Sequence, residues 1–384
     1  MFCYRAEIHM KFRGVLAVIL AIAIAAGVYI LFSTKEDSSR GAVTLWYEKD
    51  SPLADELEEL VESYNSDIKR ETLPIELKCF DNESALAEAY ETGSPDILMC
   101  SHLRAFTLYY KNKLTDISGE ENFASPIYSK NLTSRNSSIG KSFFPVGISV
   151  PVIALNNNLT QQNLFGSFED MLSAASDYTA DTESLFLSIN SVAEQYYIYF
   201  LRFAVEFSGK FNEINSNKQY LSLYNSFAEA AFEGSVAFLG NDAVNYLVGN
   251  AIPCVIVSSD MLKDVDTENI SLCDIPAPAE SLNHDTVGTA YGFAIANGGC
   301  RSTRDIAAFI TWMFEKNRAS RAAVDARLAP VLEEDSYKTD AIGAAIANIV
   351  KEDVVVLPAA DSDYMLNRDS FEESFLEKMQ KLFP

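Results

Sequence analysis

The sequence predicts an α/β protein of two lobes, each a mainly parallel sheet flanked by helices, with a ligand cleft between them. Three observations predict it. Short apolar, strand-like runs alternate with amphipathic helical stretches from residue 43 onward, and such alternation builds parallel sheets. Several of those runs end on polar residues, which sets polar side chains along the sheet edge where open α/β sheets bind ligands. The chain has 384 residues, more than one ordinary hydrophobic core serves, so two lobes are expected.

The elements follow in order. A strand is predicted over 43–47 and a helix over 52–65, with Pro52 near its first turn and Ser51 as its N-cap. Leu53, Leu57, Leu60, Val61 and Tyr64 share one face of that helix, and Asp55, Glu56, Glu58, Glu59 and Glu62 lie off it. A strand over 75–80, a helix over 84–92 and a strand over 96–100 complete a βαβαβ start. Residues 112–141 are polar and read as surface connection. The segment 143–156 (FFPVGISVPVIALN) must be extended, because Pro145 and Pro151 block a helix. A run this apolar that is also strand reads as the passage from one lobe to the other. Beyond it come a helix capped by Ser167 and a strand over 185–189. An aromatic-rich helix over 192–207 and a helix over 217–233 follow. Strands are predicted over 236–239, 254–257 and 286–296, and helices over 303–315, 340–352 and 371–382. The expected division is 42–147 with 284–328 for the first lobe and 148–283 with 329–384 for the second.

Residues 14–32 form a run of nineteen without a charge. As a helix it spans about 28 Å, one hydrocarbon core. Arg5, Lys11 and Arg13 precede it, while Lys35, Glu36, Asp37 and Arg40 behind it nearly cancel. The positive-inside rule therefore predicts residues 1–13 in the cytoplasm, a transmembrane anchor, a tether over 33–41 and an extracytoplasmic domain. A cleavable signal peptide is the alternative; cutting after Ala23–Ala26 would leave apolar Val28–Phe32 on the mature end. Met10 offers a second start.

The net charge is −24. The first 41 residues hold five Lys/Arg and three Asp/Glu, which leaves 25 basic against 51 acidic residues in the remainder, or −26. Such a surface repels phosphate backbones and argues against nucleic acid as a partner. Of the six cysteines, Cys3 precedes the apolar run, and none stands in a metal-binding spacing. Cys79 and Cys100 end successive predicted strands; in a sheet ordered 2-1-3 they flank the first strand, too far apart to bridge. Buried free thiols are expected, with Cys254 and Cys273 as the pair worth testing. No metal site and no cofactor are expected.

Six segments, in order, resemble the extracellular solute-binding proteins of ABC importers, the sugar-type group that includes maltose-binding protein. VTLWYEKDSPLADELEELVESYN is similar to that family's first strand and helix, and GSPDILMCS to its "G-x-PD-hydrophobic" strand. FFPVGISVPVIALNNNL resembles its lobe-crossing segment and SFEDMLSAA the helix after it. AFLGNDAVNYLVGN resembles the "F-x-x-G-x-x-A" region, and DIPAPAESLNHDTVGTAYGFAIANG the "P-x-P…GG-aromatic-G" return strand. The resemblance implies a type II, periplasmic-binding-protein-like fold that closes about a hinge on a small hydrophilic solute, with a sugar favoured. It also implies a monomer that delivers that solute to permease subunits in the membrane. Two departures stand out. No lipid-anchored Cys follows the apolar run, and the family's "GG-W" is Ala290-Tyr291. The chain has no G-x-x-x-x-G-K-[ST] loop, so the energy of ATP must come from another subunit.

Strand ends supply the expected ligand contacts. Glu48, Lys49 and Asp50 follow the first strand and suit sugar hydroxyls. Ser101 and His102 end another strand. Asn190, Asn241, Ser258 and Asp260 end strands of the second lobe. Tyr291 offers an aromatic face to a sugar ring, and Gly292 lets backbone approach. Trp46 and Trp312 read as core, and the Tyr196-Tyr197 pair as helix packing. Two other functions remain open from the sequence. One is a ligand-sensing ectodomain for a membrane signalling partner. The other is an outer-face carbohydrate enzyme, which would need paired carboxylates or an activated nucleophile, and the chain has no G-x-S-x-G element.

Overall fold

The computed structural model describes residues 41–356, apart from 69–71, 122, 134–135, 161–164, 190–224, 228, 267, 280–285, 300–302, 334–337 and 353–354. The apolar run 14–32, the helices expected over 192–207 and 371–382, and Asn190 lie outside the described residues. Among the described residues no helix is long and apolar enough to cross a membrane.

The chain begins as its sequence pattern requires. Strand β1 (Val43–Glu48) leads into helix α1 (Ala54–Asp67), β2 (Ile75–Phe80), α2 (Glu83–Thr92), β3 (Ile97–Ser101) and α3 (His102–Tyr110). β2 and β3 lie on either side of β1, both parallel to it, giving the 2-1-3 order. Cys79 and Cys100 accordingly sit on opposite sides of β1 and form no disulfide; contrary to the expectation of buried thiols, Cys79 is exposed and Cys100 half-buried, because both stand at strand ends. α1 buries Ala54, Leu57, Val61 and Tyr64. Its cap differs from expectation. Leu53 occupies the N-cap position and no side chain caps the helix; Ser51 instead closes the preceding turn, its carbonyl accepting the Ala54 N–H at 2.9 Å. The Ser-Pro pair turns the chain two residues earlier than a direct cap would need.

Asp96 locks β3 to β1. It is 1% exposed, and its Oδ2 accepts from the Thr44 N–H at 2.8 Å and from Thr44 Oγ1 at 2.9 Å. A buried carboxylate is tolerated only when hydrogen-bonded in this way, which gives a structural reason for the "PD" before the strand.

The segment 143–156 is two strands, β5 (Phe143–Ser149) and β6 (Pro151–Asn156), and it does join the two main sheets. β5 pairs with β12 (Thr289–Ile295) and β13 (Ala329–Pro330), completing a six-stranded sheet in the order β13-β5-β12-β3-β1-β2. β6 enters a five-stranded sheet with β7 (Leu187–Ile189), β8 (Val236–Phe238), β9 (Cys254–Ser258) and β10 (Ile270–Cys273), in the order β10-β6-β9-β7-β8. Within the two main sheets, parallel pairing is confined to β2-β1-β3 and to β8-β7-β9, where helices cross over. The strands entering and leaving the crossing, β5, β6, β12 and β13, pair antiparallel. β4 (Leu132–Thr133), β11 (Thr286–Val287) and β14 (Val355–Val356) form a small third sheet, so the expected connection over 112–141 carries a strand as well as loop.

Helices cover the sheets. α4 (Phe168–Thr182) is capped by Ser167, whose Oγ accepts the Asp170 N–H at 3.0 Å, as the sequence predicts. α5 (Ala243–Val248) packs behind β9. α6 (Thr303–Phe314) and α7 (Arg318–Asp325) back the first sheet, and Ile342, Ile346 and Ile349 of α8 (Ala341–Glu352) join the core of the second. Trp46 is 9% exposed, within the core as expected. Trp312 packs edge-on against Tyr64, with the Arg318 guanidinium 3.9 Å from its ring centre, on the helical side of the sheet. Cys254 and Cys273 are buried free thiols whose pKa burial raises, that of Cys273 to about 12. They pair with Leu155 and Ile153 on opposite edges of β6, so a strand separates them.

Candidate functional site

A cleft of about 600 Å³, including its open mouth, lies at the carboxyl ends of β1 and β3. The parallel strands deliver Glu48, Asp50 and Ser101 to its wall. β12 returns antiparallel beside β3, with Tyr291 opposite Ser101, and so brings Tyr291 to the same place across 190 residues of sequence. Four of the residues expected at strand ends therefore meet in one depression. Glu83 and Arg104, in the first turns of α2 and α3, complete its polar wall; Arg104 Nε and Nη2 lie 3.0 and 2.6 Å from Glu83 Oε1. Sequence reasoning missed this pair. The signal was present in the spacing, because each residue stands in the helical turn that follows a strand end.

The site is acidic. Glu48, Asp50 and Glu83 share the cleft with Arg104, and Arg104 is engaged by Glu83. Burial raises the Glu48 pKa above the usual carboxylate value, and the neighbouring charges of Glu83 and Asp50 push the same way. Tyr291 is partly buried and supplies an aromatic ring at the cleft wall. Carboxylates, a hydroxyl and an aromatic face together can accept hydrogen bonds from a hydroxylated or amine-bearing solute and pack against its apolar side.

The other expected residues lie elsewhere. Lys49 is exposed in the turn after β1 and does not line the cleft. His102 is 0% exposed; its Nδ1 accepts the Ala290 N–H at 3.1 Å and its ring stands edge-on to Phe106. It therefore ties the start of α3 to the strand carrying Tyr291 and has no surface to offer a solute. Gly292 is enclosed by its own sheet. A Cβ built there would overlap the Phe144 carbonyl oxygen and stand 2.6 Å from Pro145 Cα. Close approach of backbone does explain this glycine, but the backbone is that of β5. Asn241 lies in a 3₁₀ turn, Gly240–Asp242, after β8. Ser258 ends β9 and Asp260 follows in the 3₁₀ turn Ser259–Leu262. Asp260 accepts a hydrogen bond from Ser149 Oγ, which holds this turn to the end of β5.

Burial raises the Asp260 pKa, and the Ser149 hydrogen bond only partly opposes it. A carboxyl raised on folding contributes stability that is full below the unfolded value and lost as pH rises through the folded value. Asp260→Asn keeps an acceptor for Ser149 and removes the titration. Its melting temperature, measured against that of the unaltered protein, is expected to gain as pH rises above about 4, the ordinary carboxylate value. Parallel melting curves across that range would show that Asp260 does not carry this cost.

No family model and no curated protein matches the sequence. Solved structures do match its fold. The cyclic α-maltosyl-1,6-maltose binding protein from Arthrobacter globiformis superposes with a TM-score of 0.62 at 16% identity, covering 85% of this chain and 91% of that one. An ABC substrate-binding protein from Listeria monocytogenes in complex with cycloalternan gives 0.61 at 15% identity, over 89% and 97%. The spermidine/putrescine ABC transporter substrate-binding protein PotD from Streptococcus pneumoniae gives 0.58 at 13% identity, over 89% and 99%. The fold is thus the two-lobe, type II fold of periplasmic binding proteins.

Proposed function

We propose that this chain is the extracytoplasmic solute-binding component of an ABC importer. It binds a small hydrophilic solute, a sugar or oligosaccharide foremost, and delivers it to permease subunits. The observation that carries the proposal is the cleft at the strand ends, where Glu48, Asp50, Ser101 and Tyr291 converge within the two-lobe fold. Two of the three structures are named for, or solved with, oligosaccharides, and all three are named as binding proteins. In this proposal residues 42–147 with 284–328 form one lobe and 148–283 with 329–384 the other. The segment 14–32 tethers the protein to the outer face of the cytoplasmic membrane. Ligand contacts from the second lobe, with Asn190, Asn241 and Ser258 as candidates, form on hinge closure.

A thermal-shift screen tests the proposal. Sugars, oligosaccharides, polyols, amino acids, polyamines and metal ions are offered to the protein; a solute that binds the folded state alone raises its melting temperature by mass action. A solute at about one hundred times its Kd is expected to add about 2.7 kcal/mol. A rise with one carbohydrate class supports the proposal. A rise confined to polyamines keeps the importer and replaces the sugar, as the acidic wall and the PotD likeness would allow. No rise with any solute would favour a sensor of another macromolecule.

A further inference from the structure

We propose that Lys263 is a positioning residue that holds the two lobes together through ion pairs to Asp55 and Glu56, and so sets how readily the cleft closes. The inference rests on the solute-binding reading above for its consequence, and on geometry alone for its existence. Lys263 directly follows the 3₁₀ turn Ser259–Leu262, which continues β9 of the second main sheet. Its Nζ lies 2.9 Å from Asp55 Oδ2 and 2.9 Å from Glu56 Oε1, both in the first turn of α1, which belongs to the first main sheet.

Three features separate this contact from a casual surface pair. Lys263 and Glu56 are largely covered, with side chains 22% and 13% exposed, whereas Asp55 is 85% exposed. The Glu56 arm is therefore the less screened by solvent and the stronger of the two. Burial acts to lower the Lys263 pKa, but the hydrogen bonds to Asp55 and Glu56 outweigh it and hold it above the ordinary lysine value. Both ends of the contact are also anchored. The Lys263 N–H donates to the Asp260 carbonyl at 3.2 Å, and Asp260 is held by Ser149 at the end of the crossing strand β5. On the other side, Ser51 and Pro52, which lead into α1, line the cleft. A rotation about the crossing strands that carries α1 away from the end of β9 breaks both ion pairs at once.

The expected consequence follows from population arithmetic. An ion pair present in one lobe arrangement and absent from the other biases the equilibrium towards the first. Apparent affinity falls in proportion to the closure-competent fraction, so loss of the pair is expected to weaken solute binding about fivefold.

The test reads the lobes directly and needs no solute. Nitroxide labels are carried on p-acetylphenylalanine introduced at Glu59 of α1 and at Glu268, before β10, in the full chain. Electron–electron resonance then gives the distance distribution between lobes. The expected result is a longer and broader distribution in Lys263→Glu, and restoration in the charge swap Lys263→Glu with Asp55→Lys and Glu56→Lys. Lys263→Gln, which removes the charge and shortens the side chain by one atom, is expected to show a smaller shift in the same direction should the reversal impair folding. Local packing alone would not respond to the swap. An unchanged distribution in Lys263→Gln and Lys263→Glu, in folded protein, overturns the proposal. Because no solute is present, that outcome leaves the binding function standing, and a failed solute screen leaves the lobe measurement standing.

Discussion

Gly292→Ala is expected to destabilise the protein by about 3 kcal/mol, at the upper end of the range for forcing extra atoms into a packed interior. The cause is local and severe. Gly292 lies on β12 between β3 and β5, at the point where the β12–β5 register slips. A Cβ there would overlap the Phe144 carbonyl oxygen and stand 2.8 Å from its carbon and 2.6 Å from Pro145 Cα. All three obstacles are backbone, so no side-chain rotation relieves them; β5 itself must move. β5 is the strand that continues into the second sheet, and the residue before Gly292 is Tyr291 of the cleft. Gly119→Ala is the control, because a Cβ there meets nothing within 4 Å; its effect is expected within about 0.5 kcal/mol. Denaturant midpoints measure both. Equal midpoints would show that the sheet accommodates a methyl group at Gly292.

How much of this site the sequence shows depends on the distance over which each placement is decided. Glu48, Asp50 and Ser101 were legible because a strand followed by a helix puts its last residues at the sheet edge whatever the rest of the chain does. The crossing segment was legible because two prolines and a continuous apolar run leave few other structures. Gly292 was legible as a close-approach position, but the strand that approaches it comes from 147 residues earlier, and nothing in the local pattern names that partner. His102 illustrates the same limit. Its sequence position is a strand end, yet Ala290 packs over it from β12 and takes its Nδ1. Asp260 and Lys263 also follow a strand end, and their partners Ser149, Asp55 and Glu56 are set by how the two sheets meet. Local pattern fixes the elements; long-range pairing decides which polar residues face a solute and which hold the frame.

Tyr291→Ala is expected to cut the solute-induced rise in melting temperature to about a third, at a solute concentration of about one hundred times the unaltered Kd, while leaving the unliganded protein folded. A partly exposed tyrosine at a cleft wall contributes mainly to binding. Its ring stands opposite Ser101 and beside the acidic groups of β1 and α2, so a solute must lie against it to reach them. Truncating an aromatic anchor of this kind costs about 2 kcal/mol or more, about a thirtyfold loss of affinity. Tyr291→Phe separates the two ways in which the residue can act. If the ring face carries the contact, phenylalanine retains most of the affinity, as packing on the C–H face of a sugar requires. If the hydroxyl carries it, phenylalanine falls with alanine, and the solute is one recognised by hydrogen bonds from a polar wall. Glu48→Gln supplies the complementary comparison. A neutral sugar should lose little, since an amide still accepts a hydrogen bond. An amine-bearing solute should lose far more, because the charge opposite it is gone. Titration calorimetry on Tyr291→Ala, Tyr291→Phe and Glu48→Gln thus distinguishes the chemical class of the solute from its mere presence. Affinity unchanged in Tyr291→Ala would move the binding site away from this cleft altogether.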